Sequence, residues 1–221
     1  MLNGSNTIAA ISTAPGAGGI GVVRISGPLA LDIGQKISGA ILLPRVANFH
    51  NFKNLNGTLI DQGLILFFSA PHSFTGEDII ELQCHGGTVV TQSILNFCLK
   101  NGAKLAEPGD FTKRAYLNNK IDLAQAESVA DLINASTEEA ALGAVNSLSG
   151  KFSIEINNLL KNLIELRMYV EACLDFPEED IDFISEGNVK NKLLHLSETM
   201  MRIMQSAVQG QLLRDGISLV L

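Results

Sequence analysis

The stretch Phe74-Thr75-Gly76-Glu77-Asp78-Ile79-Ile80-Glu81-Leu82-Gln83-Cys84-His85-Gly86-Gly87 carries the clearest chemical potential in the chain. Ile80, Leu82 and Cys84 alternate with Ile79, Glu81 and Gln83, which is the period of a two-faced strand. Glu81 is then a carboxylate set into a sheet near the strand's carboxyl end. His85-Gly86-Gly87 follows and opens a helical pattern, and the free amides of a helix start favour an anion or a polar ligand. Two uses of Glu81 fit this setting. It pairs with a neighbouring cation while Thr88 caps the helix, or it accepts donors from a bound ligand. The His-Gly-Gly turn also resembles the oxyanion turn of esterases, but no G-x-S-x-G nucleophile accompanies it, which argues against a serine hydrolase.

The one locally basic stretch runs from Pro108 to Lys120. Pro108-Gly109 marks a turn and Asp110 is placed to cap a short helix, leaving Lys113, Arg114 and Lys120 either as solvated cations or as anchors for an anionic ligand. Asp175, Glu178, Glu179, Asp180 and Asp182 crowd the segment DFPEEDIDF, whose spacing fits no calcium loop and reads as a solvated acidic turn at Pro177. His50, His72, His85 and His195 lack metal-ligand spacing, and Cys84, Cys98 and Cys173 are too scattered for a zinc site or a disulfide framework; they read as buried reduced thiols.

Gly16, Gly18 and Gly21 in APGAGGIGVVRISG have the spacing G-x-G-x-x-G. A dinucleotide fingerprint needs a strand before the glycines and a helix after them. Here Val22-Val23-Arg24-Ile25-Ser26 follows, β-branched and alternating, so the glycines serve a tight connection between strands. No G-x-x-x-x-G-K-[ST] phosphate loop occurs in the sequence.

Two kinds of element position these groups. Up to about Asn118, short β-rich runs alternate with turns: Thr7 to Ser12, Val22 to Ser26, a hairpin signal at Asn56-Gly57 before Thr58 to Ile60, the run Leu64 to Phe68 read as a buried strand, and Ile79 to Cys84. A helix with Val90, Ile94, Phe97 and Cys98 on one side follows, ended by Gly102. From Asp122 the period becomes helical. Asp122 with Gln125, and Ser136 with Glu139, match the capping-box pattern. Ala141, Val145, Leu148, Phe152, Ile156, Leu159, Leu163, Leu166 and Val170 then recur at steps of three and four, predicting one long helix of roughly 50 to 55 Å. Leu193, Leu196, Met200, Ile203, Met204 and Ala207 form a second stripe able to pack back on it, with the methionines as core gap-fillers.

With 221 residues the chain is long enough for two modest domains. A formal charge of −7 leaves no general basic surface for gripping a polyanion. Mean hydropathy is high, at +0.22, yet no apolar run approaches the roughly 18 residues of a membrane span, and the start lacks a signal-peptide pattern, so a cytoplasmic protein is expected. The apolar end Gly216 to Leu221 has the character of a strand cut from its partner.

Four blocks in order, TIAAISTAPGAGGIGVVRISG, SFTGEDIIELQCHGG, EPGDFTKRAYLNNKIDLAQAESVADLINAST and EACLDFPEEDIDF, resemble the tRNA-modification GTPase family called MnmE or TrmE, over essentially the whole chain. The resemblance implies an α+β fold. Residues 1–119 would form a mixed α/β folate-binding and dimerisation domain similar to the glycine-cleavage aminomethyltransferase. Residues 120–215 would be the first part of an all-α helical domain, and 216–221 the first strand of a GTPase domain. It carries over Arg24, Glu81 and Lys120 as folate-binding positions, with 5-formyl- or 5,10-methylene-tetrahydrofolate as cofactor, and no catalytic or metal residue in this stretch. For the intact family member it implies GTP, magnesium and potassium, a homodimer, the flavoprotein MnmG as partner, and an aminomethyl or carboxymethylaminomethyl group placed on carbon 5 of the wobble uridine of tRNA. These 221 residues would not hydrolyse GTP by themselves. A ligand-free dimerisation scaffold for a GTPase domain is the alternative. Because later helices complete the helical domain in that family, the apolar stripes beyond about Asp122 are expected to be partly exposed.

Overall fold

A computed structural model describes residues 6–175 and 188–215. The acidic residues Glu178, Glu179, Asp180 and Asp182, with Pro177, and the strand expected at 216–221 lie outside the described residues. The chain divides into two compact units, 1–121 and 122–221. The first is a six-stranded sheet carrying helices and the second is helical, which is the α+β arrangement.

In the first unit β1 (Ile8–Ile11), β2 (Gly18–Ser26), β3 (Asn48–Lys53), β4 (Leu59–Phe68), β5 (Ile79–Gly86) and β6 (Lys104–Leu105) lie in the order β3-β4-β5-β2-β1-β6. All pairings are antiparallel except β1 with β6. Every second residue of the central strands is sealed. Val23, Ile25, Ile65, Phe67, Ile80, Leu82 and Cys84 face α1 (Ala30–Ser38) and α2 (Thr88–Lys100), whose Ile33, Ile37, Ile94, Phe97 and Cys98 complete the core. The intervening residues, Arg24, Leu64, Leu66, Glu81 and Gln83, belong to the opposite face. The run Leu64 to Phe68 is therefore half-buried rather than buried throughout, and it is continuous with Leu59 to form one long strand.

Gly21 of the first loop acts through close approach, and so does Gly86 on the strand beside it. Gly18 pairs with Gly86 and Gly21 with Cys84. A Cβ on Gly86 would lie 2.6 Å from the Gly18 carbonyl oxygen, and one on Gly21 would lie 2.5 Å from Thr91 Cγ2. Packing of β2, β5 and α2 demands both, in keeping with a geometric role for these glycines.

Two short elements correct the expected caps. Helix α2 takes Gly87 as its N-cap and Thr88 as its first residue, and α3 (Asp110–Leu117) takes Gly109, at φ +85°, as its N-cap. Asp110 instead accepts the Glu107 amide, closing the turn that precedes the helix.

The second unit contains α4 (Leu123–Asn134), α5 (Glu138–Leu148), α6 (Lys151–Asp175) and α7 (Val189–Asp215). The capping box at Asp122 is present in full: its carboxylate accepts the Gln125 amide and Gln125 Oε1 accepts the Asp122 amide, each at 2.9 Å. Helix α5 starts one residue later than the sequence pattern indicates, because the Thr137 hydroxyl, not that of Ser136, accepts the Ala140 amide. The single long helix is in fact two. Gly150 sits in the left-handed region at φ +81°, and the Leu148 carbonyl is taken by Gln125 Nε2. The apolar period runs through this break because side-chain spacing reports which face is greasy, not where the backbone ladder is interrupted. Among the described residues of α6 and α7, Leu166, Leu196 and Ile203 are the buried ones. Met168, Met200, Met201 and Met204 are each more than half exposed, so these methionines are not core fillers among the described contacts.

Candidate ligand-binding site

Arg24 and Glu81 meet at the centre of the sheet. They are direct cross-strand partners in the antiparallel β2–β5 register, and Glu81 has Leu66 of β4 on its other side. Both project from the face opposite α1 and α2, because their strand neighbours Val23, Ile25, Ile80 and Leu82 are wholly sealed on the other. Arg24 Nε donates to Glu81 Oε1 at 2.9 Å and Nη2 approaches the same oxygen at 2.7 Å. Both donors converge on one oxygen. No group among the described residues bonds to Oε2. A charge-assisted pair of this length is strong, and at 31% and 18% side-chain exposure it is only partly screened by solvent.

Helix α3 closes one side of this centre. The Phe111 ring covers the Arg24 guanidinium, with Cζ 5.7 Å from the ring centroid. The helix is seated by Arg114, which donates to Glu77 Oε2 at 2.7 Å and also reaches the carbonyls of Asn6 and Ser26. The Ser26 hydroxyl donates to the same Glu77 oxygen at 2.8 Å and contacts the buried Thr75 hydroxyl. Asn118 Nδ2 donates to the Thr75 carbonyl. One ion pair and its hydroxyl neighbours thus fix α3 to β2 and to the loop before β5.

Lys120 stands apart from the pair. Its Nζ donates to the Pro71 carbonyl at 2.9 Å, its stem lies over Gly76, and no hydrogen bond or ion pair joins it to Arg24 or Glu81. Two of the three expected residues are therefore brought together, while Lys120 holds the loop between β4 and β5. Lys113 is exposed on α3. The sequence reading gives Phe111 no role; its first-turn position in a helix carrying Arg114 is the available signal.

At the far end of β5, Asp61 spends both oxygens on His85: Oδ2 accepts its amide and Oδ1 contacts Nδ1, each at 2.8 Å. Burial alone would raise the Asp61 carboxyl, but the His85 amide and ring together with the Gln62 amide outweigh it and hold the carboxyl below its usual value. These bonds replace ladder contacts where β4–β5 pairing stops at Leu64 and Gln83. Burial, aided by the Asp61 charge, pushes the Cys84 thiol up to about 11, and burial pushes Cys98 up to about 12, so both are inert thiols as expected. Cys173 is only partly buried. Among the described residues no group of His, Cys, Asp or Glu could hold a metal ion, and no helix is long and apolar enough to cross a membrane.

Comparison with known proteins gives this geometry a family. Residues 7–120 match the family model described as GTP-binding protein TrmE N-terminus, and residues 123–218 match the MnmE helical domain. The chain belongs to the MnmE (TrmE) family. A relative from Saccharophagus degradans is 53% identical over 217 residues, covering 98% of this chain and 48% of its own length. One from Hydrogenovibrio crunogenus is 52% identical with the same coverage, and one from Neisseria meningitidis serogroup C is 56% identical over 215 residues, covering 97% and 48%. Each relative is named tRNA modification GTPase MnmE. The chain spans about half the length of the curated MnmE relatives it matches. Its two matched regions follow one another without overlap and meet where the sheet unit gives way to the helical unit.

Proposed function

We propose that this chain is the folate-binding and dimerising part of an MnmE-family GTPase that modifies tRNA. The carrying observation is Glu81, a half-buried carboxylate in mid-sheet with one oxygen saturated by Arg24 and the other unpartnered. A reduced pterin offers a 2-amino group and a ring N–H side by side, which is the donor pair such a carboxylate accepts, and Arg24 orients it from the other side. The donor set fits 5-formyl- or 5,10-methylene-tetrahydrofolate: Glu81 takes the amino edge, while Arg24 and Lys120 serve the carbonyl edge or the acidic tail. Bound folate supplies a one-carbon unit. The protein's part is to hold and orient it.

The rest of the function belongs to the longer protein. GTP hydrolysis, with magnesium and potassium, is assigned outside these residues, which contain no phosphate-loop sequence. For that longer protein the reading includes partnership with MnmG and placement of an aminomethyl or carboxymethylaminomethyl group on carbon 5 of the wobble uridine. A net charge of −7 leaves no general basic surface here, so tRNA would be reached through a local patch or a partner.

Titration calorimetry with 5-formyltetrahydrofolate tests the reading. Wild type binds, and Glu81→Ala loses at least about tenfold in affinity, the loss expected when a charged hydrogen-bond partner is removed. Undiminished binding by Glu81→Ala refutes the pocket. A second reading, a ligand-free dimerisation scaffold, is favoured by the exposed stripes on α6 and α7. A dimer in sedimentation that gives no heat with folate selects it.

A further inference from the structure

Resting on the folate reading above, we infer that Arg45 anchors the anionic tail of the ligand beside Lys120, and that the protein takes folates lengthened by γ-linked glutamates. Leu66 is the cross-strand neighbour of Glu81, and Phe68 follows on the same face of β4, about 7 Å further along the strand. The Arg45 guanidinium lies over the Phe68 ring, with Cζ 5.9 Å from the centroid. Arg45 Nη2 donates to the His72 carbonyl at 2.7 Å, and Lys120 Nζ donates to the adjoining Pro71 carbonyl at 2.9 Å. Both cations are exposed. They meet at consecutive carbonyls of the loop between β4 and β5, at the rim of the face that carries Glu81.

Among the described residues neither cation has a carboxylate partner. The acids of the same loop are engaged elsewhere: Glu77 accepts from Arg114 and Ser26, and Asp78 accepts the Ala70 amide. A backbone carbonyl is a neutral acceptor, and a carboxylate makes the stronger, charge-assisted bond with either cation. Each cation also has N–H donors left over after its carbonyl contact. The backbone marks Arg45 as well. Its φ of +62° lies in the left-handed region, where glycine is the ordinary occupant, and its amide is fixed there by the Phe67 carbonyl at 2.7 Å. Strained positions of this kind cluster at ligand clamps. Each γ-linked glutamate adds a carboxylate, so a longer tail gains contacts at Arg45 and Lys120 while the pterin contacts at Glu81 stay the same.

The experiment titrates wild type, Arg45→Gln, Arg45→Lys and Glu81→Ala calorimetrically with the monoglutamate and triglutamate forms of 5-formyltetrahydrofolate, and with tetrahydrobiopterin, which has no acidic tail. Thermal unfolding of each variant is followed alongside. Wild type is expected to bind the triglutamate about tenfold tighter than the monoglutamate, the scale of one added charged contact. That gain is expected to shrink at high salt. Arg45→Gln is expected to abolish most of the gain and to leave tetrahydrobiopterin binding unchanged, while Arg45→Lys, which keeps the charge, retains much of it. Equal wild-type affinity for the two folates overturns the inference, and so does a gain that survives Arg45→Gln. A loss in Arg45→Gln that extends to tetrahydrobiopterin also overturns it, since Arg45 would then only hold the loop in shape. In each of these cases an impaired Glu81→Ala leaves the folate pocket standing. Wild-type affinity in Glu81→Ala refutes the pocket itself, and this inference with it.

Discussion

Glu81 was legible in its own strand, whereas Arg24 entered as a site residue only through the family resemblance. Strand alternation puts Glu81 on the face away from Ile80, Leu82 and Cys84, and that reading needs only the local sequence. Their meeting was not legible, because the register Arg24 to Glu81 depends on pairing two strands 57 residues apart and on the irregularity between Gly18 and Gly21. Of the two readings of Glu81, the pairing with a cation is the one observed, and that cation is Arg24, the other residue the resemblance carries over. Phe111 was invisible for a related reason, since its place follows from the docking of α3 by Arg114 on Glu77, a contact 37 residues long. At this scale the Arg114–Glu77 pair, with 17% and 15% side-chain exposure, is the seat of the site. Arg114→Ala leaves Glu77 partly buried and unpaired and is expected to cost about 2–4 kcal/mol, between the limits for exposed and buried pairs, as read by urea unfolding. It should also weaken folate binding without touching the ligand. Unchanged stability would mean that α3 is held by something other than this pair.

The elements of the helical unit were read well where a side chain closes a hydrogen bond nearby. The Asp122–Gln125 capping box is of that kind. The break at Gly150 was missed because an apolar stripe is blind to it, although a glycine after Ser149 is a common helix stop. Helix α1 and strand β3 were also missed. Ala30, Ile33 and Ile37 do recur at helical steps, but the segment is only nine residues, and Asn48–Lys53 reads N-F-H-N-F-K, too polar to announce a strand. Asp122 joins three helices. It caps α4 and accepts the Ser153 hydroxyl of α6, while its partner Gln125 holds the end of α5. Bonds from Ser153 and Gln125 lower its carboxyl below the ordinary value against the opposing effect of burial. A depressed carboxyl contributes stability that is complete above the unfolded value, about 3.9, and is lost as pH falls through the folded one. Asp122→Ala should therefore cost about 1 kcal/mol at neutral pH, and the difference from wild type should shrink in acid. Asp122→Asn, which caps without a charge, should show no acid loss from this site. Urea unfolding followed by far-UV circular dichroism at neutral pH and at about pH 3 reads both; an acid-independent gap between wild type and Asp122→Ala would contradict the assignment.

Across the whole molecule, the two units differ in how much they seal. The sheet unit closes a continuous core from β1 to α2, with Val23, Ile25, Ile80, Leu82 and Ile94 fully enclosed. In the helical unit the stripe residues Val145, Phe152, Leu163, Leu193, Met200 and Met204 are each more than two-fifths exposed, in line with the expected partial exposure of those stripes. A cleft of about 820 Å³ opens there among α4, α5, α6 and α7, lined by small residues such as Ala140, Gly143, Ala144 and Ala207. Fewer sealed contacts mean lower local opening free energy, so amide hydrogen exchange in α6 and α7 is expected to be much faster than in β2 and β5. Equal protection in both units would show that the stripes are covered in solution. The two-unit division was legible because the apolar period changes from two to 3.6 at about Asp122, whereas the strand order rests on long-range pairing that no local pattern encodes.

The most direct measurement is a crystal structure of this chain soaked with 5-formyltetrahydrofolate. The account predicts the pterin's amino edge within hydrogen-bond distance of Glu81, with Oε2 taken up and Arg24 still beside it. A pterin bound elsewhere, or the Arg24–Glu81 pair unchanged beneath empty solvent at saturating ligand, would contradict it.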